Sequence, residues 1–155
     1  MRILWITALV ALLIDQISKY IVIHVMELWR VFAIDVLPPL VNFRYGENHG
    51  INFGIGGDGV NKWVWVAIAL AICGWLVWWM GRAGGSTLAR VCAGLVVGGA
   101  LGNVIDRVLY GYVLDFLNMS CCGFNNPYSF NIADIFIFAG AIGLVFFAPD
   151  DKKPS

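Results

Sequence analysis

The stretch Gly98–Asp134, GGALGNVIDRVLYGYVLDFLNMSCCGFNNPYSFNIAD, decides how the chain is read. It opens with a small-residue helix end, GGALGNVIDR, crosses a polar segment containing VLDF, and re-enters apolar sequence at FNIAD. Asp106, Arg107, Asp115 and Asp134 lie within or between two runs that otherwise read as membrane helices. A charge placed at the helix centre costs roughly 2.5–3.5 kcal/mol on insertion scales, so an ionisable group at such depth marks function by default. Two carboxylates flanking one water-accessible loop point to acid/base chemistry at a membrane surface.

Working outward, the 155 residues suit a single domain. The composition is 60% hydrophobic and 13% charged, with seven Trp and ten Phe, more apolar surface than a soluble chain of this size can hide. The net charge is zero and no basic tract suggests nucleic acid. Cys73 and Cys92 fall in apolar runs and read as packing residues. Cys121 and Cys122 are adjacent in a loop, where free thiols and a disulfide both fit the sequence. Arg2 followed by an apolar run resembles a signal peptide, but no A-x-A-like cleavage site follows, so an uncleaved first span is expected.

Four transmembrane helices are expected, at about 3–26, 63–80, 88–109 and 130–148. In the first, Asp15 and Lys19 are four apart and share a helical face. That pair fits either a snorkelling lysine neutralising its neighbour or a direct functional role. The second span carries no charge, and its Trp residues lie mainly towards its ends, where interfacial aromatic belts would put them. Gly94, Gly98, Gly99, Ala100 and Gly102 in the third allow another helix to approach closely, and Asn103, Asp106 and Arg107 form its polar terminus. Two long loops join the spans. Within 27–61, LVNFRY reads as a half-exposed strand after Pro38-Pro39, and ENHGINFGIGG supplies turn residues; a loop of that length is expected to form a small folded cap. VLDFL reads as another short strand. Arg2, Arg82, Arg90, Lys152 and Lys153 fall on one side of the spans, while Arg30, Arg44, Lys62 and Arg107 are diluted over the two long loops. The positive-inside rule then puts both termini in the cytoplasm and both polar loops outside.

In order along the chain stand D-Q-x-x-K (Asp15, Gln16, Lys19), N-x-G-x-x-F-G (Asn48, Gly50, Phe53, Gly54), GGALGNVIDR (Gly98 to Arg107), V-x-D-F (Val113, Asp115, Phe116) and FNIAD (Phe130 to Asp134). This series resembles the bacterial lipoprotein signal peptidases, also called signal peptidase II, over nearly the whole chain. The resemblance implies an all-α polytopic membrane protein with a small β-rich extracytoplasmic cap, residues 1–155 forming one peptidase domain of the cytoplasmic (inner) membrane. It implies an aspartic endopeptidase that removes the signal peptide from prolipoproteins, just before a diacylglyceryl-modified cysteine. Asp115 and Asp134 match the catalytic pair. Asp15, Asn48, Asn103, Asp106, Arg107 and Asn131 match supporting polar positions, with Lys19, Gly50 and Phe53 beside them in the motifs. Two features depart from the pattern: Asn52 stands where a small apolar residue is usual, and Ser120–Ser129 matches no motif.

The residues agree on their own terms. Two carboxylates at ~3 Å cannot both ionise, and sharing one proton lets one activate water while the other protonates the carbonyl or leaving amine. H-E-x-x-H, G-x-S-x-G and P-loop motifs are absent, and His24 and His49 are isolated. No cofactor and no metal are expected. The expected partners are a lipid-modified prolipoprotein and membrane lipids, with no nucleic acid, and the chain is expected to act as a monomer. LVNFRY is expected to hold an extended peptide by edge pairing. The rival reading, a small proton-coupled transporter, predicts carboxylates near the midplane and an internal repeat; neither is visible in the sequence.

Overall fold

The computed structural model describes residues 1–50 and 61–147. Helix α1 runs Arg2–Lys19 and continues through a widened π-helical turn, Tyr20–Val25, the N–H of Met26 reaching back to the Ile21 carbonyl. A short helix α2 (Leu28–Val31) leads to strands β1 (Ala33–Leu37) and β2 (Val41–Asn48). Helices α3 (Lys62–Ala83) and α4 (Thr87–Leu109), strand β3 (Val113–Asn118) and helix α5 (Ile132–Phe147) complete the chain.

Among the described residues three helices are long and apolar enough to cross a membrane: Arg2–Val25, Lys62–Ala83 and Thr87–Leu109. The fourth, α5, is equally apolar but has 16 residues, about 24 Å of rise. Helix α4 is the axis of the bundle, packed against α1, α5 and α3. Its glycines make this possible. A Cβ on Gly94 would stand 2.6 Å from the Leu4 carbonyl oxygen of α1, and one on Gly99 would stand 2.6 Å from that of Ala133 in α5. The backbones therefore meet directly along two faces of α4, as small residues permit inside lipid. A buried cluster of Leu4, Ala8, Leu76, Met80, Ala93 and Val97 fills the space between α1, α3 and α4. Trp63, Trp75 and Trp78 are more than half exposed, as ring-bearing lipid-facing positions would be.

The two polar loops meet in one antiparallel sheet of order β1-β2-β3. Phe116 and Leu114 of β3 turn inward onto Val22, Ile23 and Leu28, seating the sheet on the end of α1. Strand β1 escapes sequence reading because its apolar residues Val36 and Leu37 are exposed rather than alternating with a buried face. The expected edge pairing of LVNFRY is corrected here. β2 is the middle strand, with β1 on one side and β3 on the other, so its backbone groups are already spoken for. Between the pairs Phe43–Leu117 and Gly46–Asp115, β2 has two residues, Arg44 and Tyr45, against Phe116 alone. Such a bulge re-aims the side chains beyond it, and the residue it precedes on the partner strand is Asp115.

Candidate active site

The site is built on the first turn of α5. Asn131 precedes the helix, and its Oδ1 accepts the N–H of Asp134 at 3.0 Å; the N–H of Asn131 in turn reaches Asp134 Oδ2 at 3.3 Å. This reciprocal pattern is a capping box with an aspartate in the third position. A third free N–H, that of Ala133, goes to Asp15 Oδ1 at 2.9 Å. The helix end would otherwise leave these donors bare in a buried place. The cap thus fixes Asp134 while satisfying the backbone.

Asp15 reaches across from α1 because it belongs to a second polar group. Lys19 Nζ lies 2.8 Å from Asp15 Oδ2, 2.7 Å from Asp106 Oδ2 and 3.2 Å from Asn103 Oδ1. Its three donors are all engaged. The lysine is only 3% exposed, so the snorkelling reading of the Asp15–Lys19 pair is corrected: the two belong to a buried ion cluster with Asp106. Asp106 also accepts from Gln16 Nε2 at 3.1 Å and from the N–H of Leu114 at 3.1 Å, tying α1 and α4 to β3. Asn103 joins the two groups: its Oδ1 faces Lys19 and Asn131, and its Nδ2 donates to Asp134 Oδ1 at 3.1 Å.

Asp115 comes from β3 and is buried. Asn131 Nδ2 donates to its Oδ1 at 2.7 Å, and Asn48 Nδ2 to its Oδ2 at 3.1 Å. Burial pushes the Asp115 carboxyl up to about 7, and the nearby negative charge of Asp134 adds to the rise; the two asparagine donors oppose it. Asn131 therefore contacts both aspartates, one through its side chain and one through its backbone.

Arg107 donates to two carbonyls, Asn103 O on its own helix and Gly50 O at the end of the cap strand segment. Its planar fork pins residue 50, whose N–H is held by Asn48 Oδ1 at 3.2 Å. Of the expected site residues, Asp15, Lys19, Asn48, Gly50, Asn103, Asp106, Arg107, Asp115, Asn131 and Asp134 come together here; Phe53 lies outside the described residues. His49 sits on the rim, its ring beside Tyr112 and Glu47. Cys121 and Cys122 are joined by a disulfide within the tight turn to Phe124.

Two cavities open on the aspartates from different sides. A polar groove of about 500 Å³ runs over the sheet, walled by Gly46, Asn48, Asp115 and Tyr128. An apolar one of about 280 Å³ lies between α3, α4 and α5, with Trp65, Ile72 and Ile137 on its walls and Asp134 at its end. Trp65 is thus a groove residue rather than a purely lipid-facing one. Sequence reading also passed over Asn118. Its Nδ2 donates to the carbonyls of Asn126 and Tyr128, both at 2.8 Å, and holds the 119–129 loop against the sheet.

A buried carboxyl that keeps its proton near neutrality, beside a second carboxylate, can deliver and withdraw protons around one attacking water. The whole-chain comparisons bear on which reaction uses it. The family model described as signal peptidase (SPase) II matches residues 7–148. A lipoprotein signal peptidase of Alteromonas mediterranea is 41% identical, covering 99% of this chain and 84% of its own length. That of Methylorubrum extorquens is 39% identical, covering 97% and 88%. A solved bacterial membrane enzyme superposes with a TM-score of 0.78 at 28% identity, over 97% of this chain and 92% of that one.

Proposed function

The chain belongs to the signal peptidase II family, and from that premise we propose that it is an aspartic endopeptidase of the bacterial inner membrane. It removes signal peptides from diacylglyceryl-modified prolipoproteins, cutting just before the lipidated cysteine. The observation that carries the aspartic reading is the bridging by Asn131 of two buried carboxyls, Asp115 on the wall of the polar groove and Asp134 on the wall of the apolar one.

Asp115, with its elevated carboxyl, holds the shared proton at neutral pH, and Asp134 serves as the base. Asp134 takes a proton from water as the oxygen adds to the scissile carbonyl, while Asp115 gives its proton to the carbonyl oxygen. The tetrahedral diol collapses when the amine of the lipidated cysteine takes the proton held by Asp134, and Asp115 recovers its own from the diol hydroxyl. The C–N bond breaks, a carboxyl and an amine leave, and the pair returns to one proton.

The grooves suit the substrate's two natures. The apolar cavity between α3, α4 and α5 accepts acyl chains from the bilayer, and the polar groove over the sheet accepts the peptide. In this reading α5 is the fourth membrane crossing, the sheet forms an extracytoplasmic cap, both termini are cytoplasmic, and one 155-residue domain acts as a monomer without metal. Incubation with a lipidated prolipoprotein in detergent or liposomes should release the signal peptide, and the unlipidated precursor should remain intact. Activity should survive EDTA. Failure to cleave the lipidated precursor would overturn the proposal.

A further inference from the structure

The loop between β3 and α5, whose stretch Ser120–Ser129 matches none of the family motifs, walls one side of the polar groove with Asn126, Pro127, Tyr128 and Ser129. Its outer tip is a four-residue turn. Cys121 and Phe124 exchange backbone hydrogen bonds at 3.2 and 2.9 Å, and Cys122 and Gly123 between them take positive φ, 58° and 84°. Positive φ at both central residues is the mark of the primed hairpin turn. Glycine adopts that backbone freely, whereas the Cβ of Cys122 opposes it. The Cys121–Cys122 disulfide lies inside this turn. Met119, Phe124 and Tyr128 are all exposed, so little apolar burial holds the tip. Both cysteines of the bond are exposed as well, whereas Cys73 and Cys92 are buried free thiols.

Hydrogen bonds connect the tip to the groove. Ser120 Oγ, next to Cys121, accepts the N–H of Asn126 at 3.1 Å and donates to Asn118 Oδ1 at 3.2 Å. Asn126 Oδ1 accepts the N–H of Tyr128 at 3.0 Å, so the turn that returns Asn126 to Ser120 also sets the wall beyond it. We propose that Cys121–Cys122 is a thiol–disulfide exchange site, its closed form holding this wall of the groove and its dithiol form releasing it. The cap is read as facing the outer compartment, where disulfides persist. A thiolate of an external dithiol attacks one of the two sulfurs, breaking the S–S bond and forming a mixed disulfide. The dithiol's second thiolate then displaces the bound cysteine sulfur, leaving two thiols here and a disulfide on the reductant. Two electrons and two protons pass from the dithiol to the pair. The aspartates are fixed from elsewhere, Asp115 by Asn48 and Asn131 and Asp134 by Asn103 and Asn131. Opening the tip therefore acts on what the groove holds and not on the chemical step.

The effect on turnover rests on the peptidase reading; the effect on the loop is measured without it. Protein purified without reductant is unfolded and labelled with a maleimide before and after treatment with dithiothreitol. Mass spectrometry should count the two thiols of Cys73 and Cys92 before, and all four cysteines after. On reduction, deuterium uptake at the N–H groups of Phe124, Asn126 and Tyr128 should quicken by about tenfold, the scale of one lost hydrogen bond. With a synthetic diacylglyceryl lipopeptide, KM should rise by about fivefold on reduction and kcat should change by less than about twofold. The double variant Cys121→Ser/Cys122→Ser should show the uptake and KM of the reduced enzyme and ignore dithiothreitol. Four thiols in the untreated protein would overturn the proposal. So would unchanged uptake or KM on reduction, or a double variant that responds to dithiothreitol as the native protein does. If the oxidised protein leaves the lipopeptide uncut, the peptidase reading falls, and the thiol count and the uptake still decide whether the pair locks the loop.

Discussion

Asp115 is the residue whose protonation the rate should follow. Its carboxyl is raised to about 7, chiefly by burial, and in the proposed mechanism the competent pair carries one proton. As pH rises through about 7 that proton leaves, so kcat/KM should fall on the alkaline side. Asn48 donates to Asp115 and so favours its charged form. Removing the donor in Asn48→Ala should move the alkaline limb to higher pH, whatever it does to the maximal rate. A limb that stays put or shifts down would count against Asn48 acting on Asp115. If the pair works as a unit, as proposed, Asp115→Asn and Asp134→Asn should each abolish turnover, by more than about a thousandfold, and the double variant should be scarcely worse. Single-turnover assays on purified variants decide this; substantial cleavage by either one would sink the aspartic mechanism. The two aspartates were legible in the sequence because charge is rare in apolar runs. Asn118 was not, because an uncharged amide in a short strand looks like any half-exposed polar residue until its partners are known.

Elements meet at α4, and the glycines there are not equivalent to those elsewhere. A Cβ on Gly102 would stand 2.5 Å from Asp15 Oδ2, the carboxylate that holds both Lys19 and the start of α5. Gly102→Ala should therefore destabilise the bundle by about 1–3 kcal/mol and suppress cleavage as well. Gly74 on α3 has nothing within 4 Å of the same position. Gly74→Ala should be neutral or stabilising by up to about 1 kcal/mol, through helix propensity alone. Thermal unfolding in detergent, read beside activity, separates the two; equal effects would mean that the close approach of α1 to α4 is unimportant. The helices themselves were readable within a few residues at each end, since long apolar runs and small-residue spacing are local signals. The bulge in β2 and the strand order were not, because they depend on pairings between segments about seventy residues apart, such as Gly46 with Asp115.

For the whole molecule, the orientation rests on the lysine and arginine asymmetry between short and long loops. A reporter active only outside the cytoplasm should work when fused at Gly123 and fail at Gly85; the reverse pattern would put the catalytic pair on the wrong face. The charge distribution carries that expectation, whereas the ion cluster that joins the first helix to the last was visible only as scattered acidic and basic letters. That join has a consequence for how the protein is made. Asp134 and its capping residue Asn131 stand at the start of the last helix, whose Ala133 N–H is held by Asp15 near the start of the chain. A ribosome-bound chain that has released only three helices holds Asp115 without its partner. In the proposed mechanism, proteolytic competence therefore arrives with the last helix, and a chain stopped at Ser129 should be an inert membrane passenger rather than an unguarded protease.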